Sequence, residues 1–430
     1  MKFLILFVII YTNIVLAKSH FDFDLIKKGQ EDSNTLLVIG GIQGDEPGGF
    51  LSASLLATHY EILEGSVWIV PNLNFYSIIK RSRGPFGDMN RKFAYLSPKD
   101  PEYSTVQRIK SYIKDEKVQM VVNLHDGSGF FRPKYEDSLH SPYRWGQCSI
   151  IDQEFIESNI YGNLKKISEQ VVLHVNDHLM KDEHIYHVHN TRTAEGDKEM
   201  EKTLTYFAIN NKKAAFGNEA SKTLPTHERV YYHLLALEKY MQIMGIKFRR
   251  KFALSSNGVY AAINNDIYIS LYDNKIKLPL SKIRNFLHYF PIKKDKVVDF
   301  QASNPLLTIV KNEDTYTIQY GNRRLSRLKA DYQDYDESNK KVQIIVDGTM
   351  KDVSFGSIVN VSKDFLVKYN ENFRVNVIGY TNSQSLETDV NIAKHQIASR
   401  FSVDEGGDIY RVEYYNKEKF AGMILIKFTS

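Results

Sequence analysis

The sequence contains little cysteine, little excess charge of either sign and no long apolar run beyond its first residues. A single cysteine, Cys148, among 430 residues excludes an intrachain disulfide framework and a cysteine-rich zinc module. The 56 Lys and Arg residues nearly balance the 51 Asp and Glu residues, so the net charge of +5 gives no sign of a nucleic-acid binder. A charged fraction of 25% beside 43% hydrophobic residues predicts a globular protein.

The first 17 residues have the pattern of a signal peptide. Lys2 supplies a positive charge, residues 3–11 are apolar, and Ala17 lies at the expected cleavage site. The apolar stretch is shorter than the roughly 20 residues that a bilayer-spanning helix needs, although a retained N-terminal anchor is an alternative. We therefore expect a periplasmic protein with no membrane span after the signal peptide is removed.

Up to about residue 245, strand-like and helix-like segments alternate. Apolar runs at 35–39, 66–70, 118–124 and 214–216 are typical of buried strands, and residues 50–60, 104–114 and 224–244 have helical patterns. Pro225 and Gly245 mark the start and the stop of the last helix. This alternation predicts an α/β domain with a largely parallel sheet, flanked by helices.

Beyond residue 247 the pattern changes to short alternating segments separated by Asn, Asp, Gly and Lys, which predicts small all-β modules. Residues 258–263 are one predicted strand, while residues 281–290 have a helical pattern. The polar run 331–341 is the best candidate for an internal linker. We expect a signal peptide at 1–17, a catalytic domain at 18–245, an all-β domain at 246–335 and an immunoglobulin-like all-β domain at 336–430.

Chemically useful side chains follow the predicted strands of the first domain. The glycine-rich loop 40–49 lacks the Gly-Lys-Ser/Thr ending of a phosphate-binding loop, and its two acidic residues disfavour phosphate. Because α/β sheets place their sites at the carboxyl ends of strands, we expect the side chains at those ends to form one site. They are Gln43, Glu46, Asn90, Arg91, His125 and Glu219.

In order and placement these segments resemble the carboxypeptidase A-like zinc metallocarboxypeptidases, which have an H-x-x-E motif, a downstream Asn-Arg pair, a distant His and a late catalytic Glu. Gln43 stands where that motif has its His. This departure is similar to a narrower family, the peptidoglycan DL-carboxypeptidases that set cell shape in helical epsilonproteobacteria. The resemblance implies a mixed sheet flanked by helices and followed by small all-β domains.

The resemblance also implies the role of each residue. One Zn²⁺ per chain is expected on Gln43, Glu46 and His125, which carry the same formal charge as two His and one Glu. Glu219 is the expected general base for a zinc-bound water that attacks the scissile carbonyl. The remaining expected residues are Arg83 at the oxyanion, with Arg81 as an open alternative, Asn90 and Arg91 at the terminal carboxylate, and Trp145 and Thr205 in the pocket wall.

The expected reaction trims the murein tripeptide of peptidoglycan to a dipeptide and releases meso-diaminopimelate, thereby setting cell shape. Three alternatives are an inactive enzyme that has kept the fold, a zinc deacylase of small N-acyl amino acids, and a non-catalytic peptidoglycan-binding protein. A histidine-rich segment is a rival metal site, but it lacks a carboxylate at convincing spacing. Its members, expected to serve packing or the surface, are His174, His178, His184, His187 and His189.

Overall fold

A computed structural model describes residues 22–31, 33–157, 159–294, 297–337, 341–382 and 386–429. The predicted signal peptide at 1–17 lies outside these residues. The described residues form two compact units: one contains residues 22–268 together with Ser303–Leu328, and the other contains Ile269–Ala302 and the described residues from Lys329 onwards. Among the residues described, no helix is long and apolar enough to cross a membrane.

The first unit is built around a mixed sheet. Its strands up to residue 250 are β1 (Ile26–Gly29), β2 (Thr35–Ile39), β3 (Tyr60–Glu64), β4 (Ser66–Val70), β5 (Val118–Gly127), β6 (Phe130–Phe131), β7 (His140–Ser141), β8 (Cys148–Ile151), β9 (His187–Asn190), β10 (Ala214–Ser221) and β11 (Lys247–Arg250). Within the described ranges the main sheet has the order β1-β4-β2-β5-β10-β8-β9. Strands β4, β2, β5 and β10 are parallel, while β1 and β8 run antiparallel to their neighbours β4 and β10.

The sequence pattern explains why this sheet has a buried centre. Strands β2 and β4 are buried at every position, as their apolar runs predicted. Strand β10 is also buried throughout, although it contains Asn218 and Glu219 and extends beyond the predicted residues 214–216. The helices are α1 (Pro47–His59), α2 (Phe75–Lys80), α3 (Tyr103–Lys114), α4 (Leu164–Asn176), α5 (Leu204–Asn210), α6 (Thr226–Ile243) and α7 (Ser256–Asn264). Short 3-10 helices lie at Met89–Arg91, Asp182–His184, Thr193–Glu195 and Met200–Lys202.

Two local predictions beyond residue 245 are wrong. The segment predicted as a strand at 258–263 belongs to helix α7, because the Ser255 side chain accepts a hydrogen bond from the Gly258 backbone N–H and caps the helix start. The helical pattern at 281–290 ends in a strand, Phe286–Lys293. Short apolar runs fit either period, and their tertiary partners decide between helix and strand.

The rest of the chain consists mainly of strands, which confirms the predicted α/β fold followed by small all-β sheets. They are β12 (Tyr268–Leu271), β13 (Ile276–Pro279), β14 (Phe286–Lys293), β15 (Phe300–Ala302), β16 (Leu307–Asn312), β17 (Thr315–Tyr320), β18 (Arg323–Gln333), β19 (Lys341–Val346), β20 (Thr349–Ser354), β21 (Ile358–Val361), β22 (Asp364–Val367), β23 (Arg374–Val377), β24 (Ile392–Ala393), β25 (Ile409–Asn416) and β26 (Lys419–Phe428). In the second unit the sheets β20-β19-β22-β24 and β21-β26-β25-β23 share one apolar core, so they form a β-sandwich.

Candidate active site

The carboxyl ends of β2, β5 and β10 bring the predicted residues to one edge of the sheet. Ile39 of β2 is paired with Asn123 of β5, and His125 of β5 with Glu219 of β10. A cavity of about 270 Å³ opens at this edge. It is lined by all nine predicted site residues, Gln43, Glu46, Arg83, Asn90, Arg91, His125, Trp145, Thr205 and Glu219, and also by Asp126, Gly127, Ser128, Ile150, Met200, Thr203, Gly217 and Lys222.

Three donor atoms converge in this cavity. The Nδ1 atom of His125 lies 2.9 Å from Glu46 Oε2 and 3.1 Å from Gln43 Oε1, and all three side chains are buried. An imidazole nitrogen, a carboxylate oxygen and an amide oxygen form a donor set that fits a divalent metal with an open coordination position. Among the described residues no three His, Cys, Asp or Glu side chains are arranged so that they alone could hold a metal ion. In this cavity the third donor atom is the amide oxygen of Gln43.

Asp88 fixes the direction of the Gln43 amide. Gln43 Nε2 donates to Asp88 Oδ1 over 2.8 Å, so the amide oxygen faces His125. Asp88 also accepts from Arg83 Nε at 3.0 Å and from the Asn90 backbone N–H at 2.9 Å. Burial favours the neutral acid, but the Gln43 hydrogen bond and the charge of Arg83 outweigh it and lower the pKa of Asp88. The sequence analysis assigned no role to Asp88; its place three residues before Arg91 was the available signal.

The structure distinguishes the two candidate arginines. Arg83 lines the cavity, with Nη1 3.4 Å from Glu46 Oε1. Arg81 occupies the left-handed C-cap position of α2, with φ of 55°, and does not line the cavity. A guanidinium beside the donor set is suited to stabilising negative charge on a carbonyl oxygen.

Asn90 and Arg91 lie on the short helix Met89–Arg91 at the cavity wall. Asn90 Oδ1 accepts from the Leu204 backbone N–H over 3.0 Å, which holds this helix against the start of α5. Arg91 Nη1 donates to the Asn90 carbonyl at 3.1 Å, and Arg91 Nε lies 3.9 Å from Glu199. Arg91 is therefore only loosely held and retains hydrogen-bonding capacity for a carboxylate.

Glu219 is a buried acid with an unused oxygen. Its Oε2 atom has no hydrogen-bond partner in the part of the chain that the structure describes. Burial, followed by the charges of Glu46 and Asp126, raises the pKa of Glu219 well above its ordinary value. A carboxyl group in these surroundings has a high affinity for a proton.

Lys222 is a cation in the cavity that the sequence analysis missed. It follows β10, and its Nζ atom lies 2.9 Å from Asp45 Oδ2 and 3.4 Å from Glu46 Oε1. The neighbouring carboxylates raise the pKa of Lys222 even though burial opposes this. Its position three residues after Glu219 was a weak signal, because lysines outside strands are usually solvated.

Asp126 supports the site from behind and was also missed as a functional residue. Its carboxylate accepts from the Gly48 backbone N–H at 2.8 Å and from Arg229 at 3.0 Å, and its own backbone N–H donates to Glu46 at 3.2 Å. Although burial opposes ionisation, the His233 and Arg229 contacts lower the pKa of Asp126. A Cβ atom at Gly48 would lie 2.2 Å from this carboxylate, so only glycine fits at this position.

The histidine-rich segment has its own contacts. The ring of His189 stacks on Phe131 at a centroid distance of 4.0 Å, and the ring of His184 lies within hydrogen-bonding distance of Tyr232 Oη, 2.8 Å away. His174 and His178 are neighbours at the end of α4, with ring centroids 4.9 Å apart. His187 packs edge-on against Phe131. These contacts are those of packing and hydrogen-bonding histidines.

The mixed sheet, the convergent donor set and the buried acid opposite it define the site of a metal-dependent hydrolase. Comparison with known families gives the class directly. A family model described as the catalytic part of a carboxypeptidase controlling helical cell shape matches residues 2–264, and one described as the C-terminal domain of metallo-carboxypeptidase matches residues 335–429. The chain belongs to this family of metallocarboxypeptidases that control helical cell shape, which confirms the resemblance inferred from the sequence.

Solved structures agree with the family assignment. The chain is similar to the cell shape determinant Csd4 from Helicobacter pylori, in product-bound and tripeptide-bound forms, with 40% identity, 95% of this chain and 100% of that chain covered, and a TM-score of 0.87. An mDAP-bound form of Csd4, described as a D,L-carboxypeptidase, has the same identity and TM-score over 94% of this chain. No protein with a curated description matches the chain.

Proposed function

We propose that the protein is a periplasmic zinc DL-carboxypeptidase that removes meso-diaminopimelate from the murein tripeptide and leaves a dipeptide. The observation that carries this function is the convergence of Gln43, Glu46, His125 and Glu219 on one cavity that also contains Arg83 and Arg91. The tripeptide-bound and mDAP-bound relatives support the substrate. The apolar segment before Ala17 supports export to the periplasm.

Zinc is the proposed metal, held by His125 Nδ1, the Glu46 carboxylate and Gln43 Oε1. When bound there, zinc polarises a carbonyl and makes water a better nucleophile near neutral pH. An amide oxygen is a harder and weaker donor than imidazole, so binding is expected to be weaker than at a site with two His and one Glu.

Glu219 is the proposed general base. Its unpaired Oε2 atom can take a proton from the attacking water and later hand it to the leaving amine nitrogen. The Asp88 side chain and the Asp126 backbone N–H take no part in this transfer but keep Gln43 and Glu46 in place.

Arg83 is proposed to stabilise the negative charge that develops on the scissile carbonyl oxygen. Asn90 and Arg91 are proposed to bind the free terminal carboxylate, which a guanidinium can contact with two parallel hydrogen bonds. Trp145 and Thr205 line the cavity as proposed substrate walls. Recognition of a free carboxylate makes the enzyme an exopeptidase.

The domain division into 18–245, 246–335 and 336–430 also remains a proposal. The second family match, which begins at residue 335, supports the last boundary. The two compact units follow a different division, in which Ser303–Leu328 joins the catalytic unit. The catalytic unit contains every residue that lines the cavity.

The test is digestion of purified muropeptides by the zinc-loaded protein, with the products identified by mass. We expect diaminopimelate and dipeptide from the tripeptide and no product from the tetrapeptide. Glu219→Gln should lower turnover on the order of 10²-fold or more while zinc content stays unchanged, because a general base contributes on that scale. Glu116→Gln, a change at an exposed site, is the control. An untouched tripeptide, together with hydrolysis of an N-acyl amino acid, would contradict the proposal.

A further inference from the structure

Asn123 lies directly behind the His125 ring. The two residues are separated by one position on β5, so their side chains share a face of the sheet. Asn123 is fully buried, and its Nδ2 atom is 2.7 Å from His125 Nε2. The opposite ring nitrogen, Nδ1, faces Glu46 and Gln43. The ring is therefore held between its predicted metal-binding partners on one side and a single amide on the other.

This arrangement fixes the tautomer of the ring. Since Asn123 Nδ2 is a donor, His125 Nε2 must accept, and the proton is on Nδ1, which can donate to Glu46 Oε2 over 2.9 Å. A metal on Nδ1 requires the opposite tautomer, with the proton on Nε2. That proton would face the two hydrogens of the Asn123 amide, and the two donors would repel each other.

We propose that Asn123 is a positioning residue whose amide turns over when His125 holds the metal, so that Oδ1 accepts the Nε2–H hydrogen bond. In the described part of the chain Asn123 Oδ1 is buried without a hydrogen-bond partner, so the turn breaks no bond of the oxygen. After the turn Nδ2 lies where Oδ1 was and has no partner, while Oδ1 is paired with His125. The amide therefore has one unpaired polar atom before and after the turn. Asparagine can thus hydrogen-bond to either tautomer of His125, because its amide can donate or accept. A carboxylate only accepts, so it would pair only with the metal-binding tautomer. This inference rests on the proposed metal centre.

Zinc affinity of the full-length protein tests the proposal. Titration of zinc sulfate against a competing chelator should show Asn123→Leu binding about 10–100-fold more weakly than wild type, because the imidazole loses the partner that orients it. Asn123→Asp, which only accepts, should bind zinc as tightly as wild type or more tightly. If Asn123 had a purely structural role, we would not expect zinc affinity to be lost in Asn123→Leu and retained in Asn123→Asp.

Asn218→Leu is the matched control. Asn218 is equally buried on the neighbouring strand β10, and its Nδ2 atom lies 2.9 Å from another histidine nitrogen, His233 Nδ1. Its side chain has no direct contact with the proposed ligands. We expect Asn218→Leu to lower the unfolding temperature while zinc affinity changes less than about twofold, a difference that is small beside the range for an orienting partner.

A second readout does not depend on affinity. Nitrogen NMR of the ¹⁵N-histidine-labelled full-length protein, assigned with His125→Ala, should show Nδ1–H at His125 without metal and Nε2–H with zinc. In Asn123→Asp the ring should be Nε2–H in both states. Wild-type affinity in Asn123→Leu, or an Nε2–H ring in the metal-free wild type, would overturn this inference alone. Failure of the wild type to bind zinc would overturn the proposed function together with it.

Discussion

Gln43 places an amide where the resemblance implies an imidazole. The structure explains how the amide oxygen is oriented to act as a metal donor. Its NH₂ group is held by Asp88, which leaves the oxygen to face His125 and Glu46. Without that hydrogen bond the amide could turn, and its nitrogen, which cannot bind a cation, would face the site. The sequence predicted Gln43 as a ligand, but its orienting partner lies 45 residues away and carries no local signal.

The first prediction at this scale is that Gln43→His retains zinc or binds it more tightly. Imidazole is a better zinc donor than an amide oxygen, and Asp88 Oδ1 is placed to accept its second N–H. Chelator competition measures the dissociation constant. Gln43→Leu, which offers no donor atom, is the control and should weaken binding. Weaker zinc binding by Gln43→His than by wild type would show that residue 43 is not a ligand.

The second prediction concerns Arg91. Wild type should cleave the tripeptide with a free terminal carboxylate and not its amidated form. Arg91→Lys should lower kcat/KM by about 30-fold or more despite the conserved charge, because loss of a bidentate contact costs about 2–4 kcal/mol. Arg91→Ala should reduce the discrimination between the two substrates. Arg81→Lys, at an arginine outside the cavity, should have no effect. Equal cleavage of the free and the amidated tripeptide by wild type would rule out an exopeptidase.

At the scale of secondary structure, strand β5 contributes most to the site. It contains Asn123, His125 and Asp126. Because successive side chains of a strand point to opposite faces of the sheet, His125 faces the donor atoms of the cavity and the Asp126 carboxylate contacts Gly48 and α6. The sequence predicted this strand at 118–124 from its apolar run, and the structure extends it to Gly127. The pairing of β5 with β2 and β10, which brings three motifs together, depends on strand order and could not be read from periodicity.

The third prediction uses strand β9, where burial lowers the pKa of His189 from 6.5 to about 4. The unfolded chain binds this proton more readily, so its contribution to stability is complete above pH 6.5 and is lost as the pH falls towards 4. The loss amounts to at most about 3 kcal/mol. His189→Phe keeps a ring against Phe131 and should flatten the dependence of the unfolding temperature on pH in this window. An unchanged slope would show that folded His189 takes up its proton as readily as the unfolded chain, so that its pKa is not lowered.

At the scale of the whole molecule, the metal centre belongs to one compact unit, while the β-sandwich belongs to the other. The fourth prediction is that calorimetry of the full-length chain resolves two transitions and that zinc raises only one of them. A free zinc concentration of 100 times the dissociation constant should stabilise the catalytic unit by about 2.7 kcal/mol. His125→Ala should abolish the shift. Equal shifts of both transitions would show that the two units unfold together.

Strand patterns and motif order are local features, so the family and the α/β class could be inferred from the sequence alone. The site residues were predicted from it as well, and the structure places all nine in the lining of one cavity. The sequence favoured Arg83 and left Arg81 as an open alternative, and the structure shows that Arg83 lines the cavity. Arg81 occupies the left-handed C-cap position of α2, whereas Arg83, two residues further on, lies 3.4 Å from Glu46.

Only the tertiary structure showed which groups hold the ligands in place. Asp88 contacts Gln43 and Asp126 contacts Glu46 across 45 and 80 positions of the chain, and Lys222 contacts Glu46 from the end of β10. Hydrogen bonds and charges depend on distance in space, and the folding of a chain of this length brings together segments that have no common sequence pattern. Short sequence motifs were therefore enough to predict the types of residue in the site. The distances and charges between those residues depend on the fold.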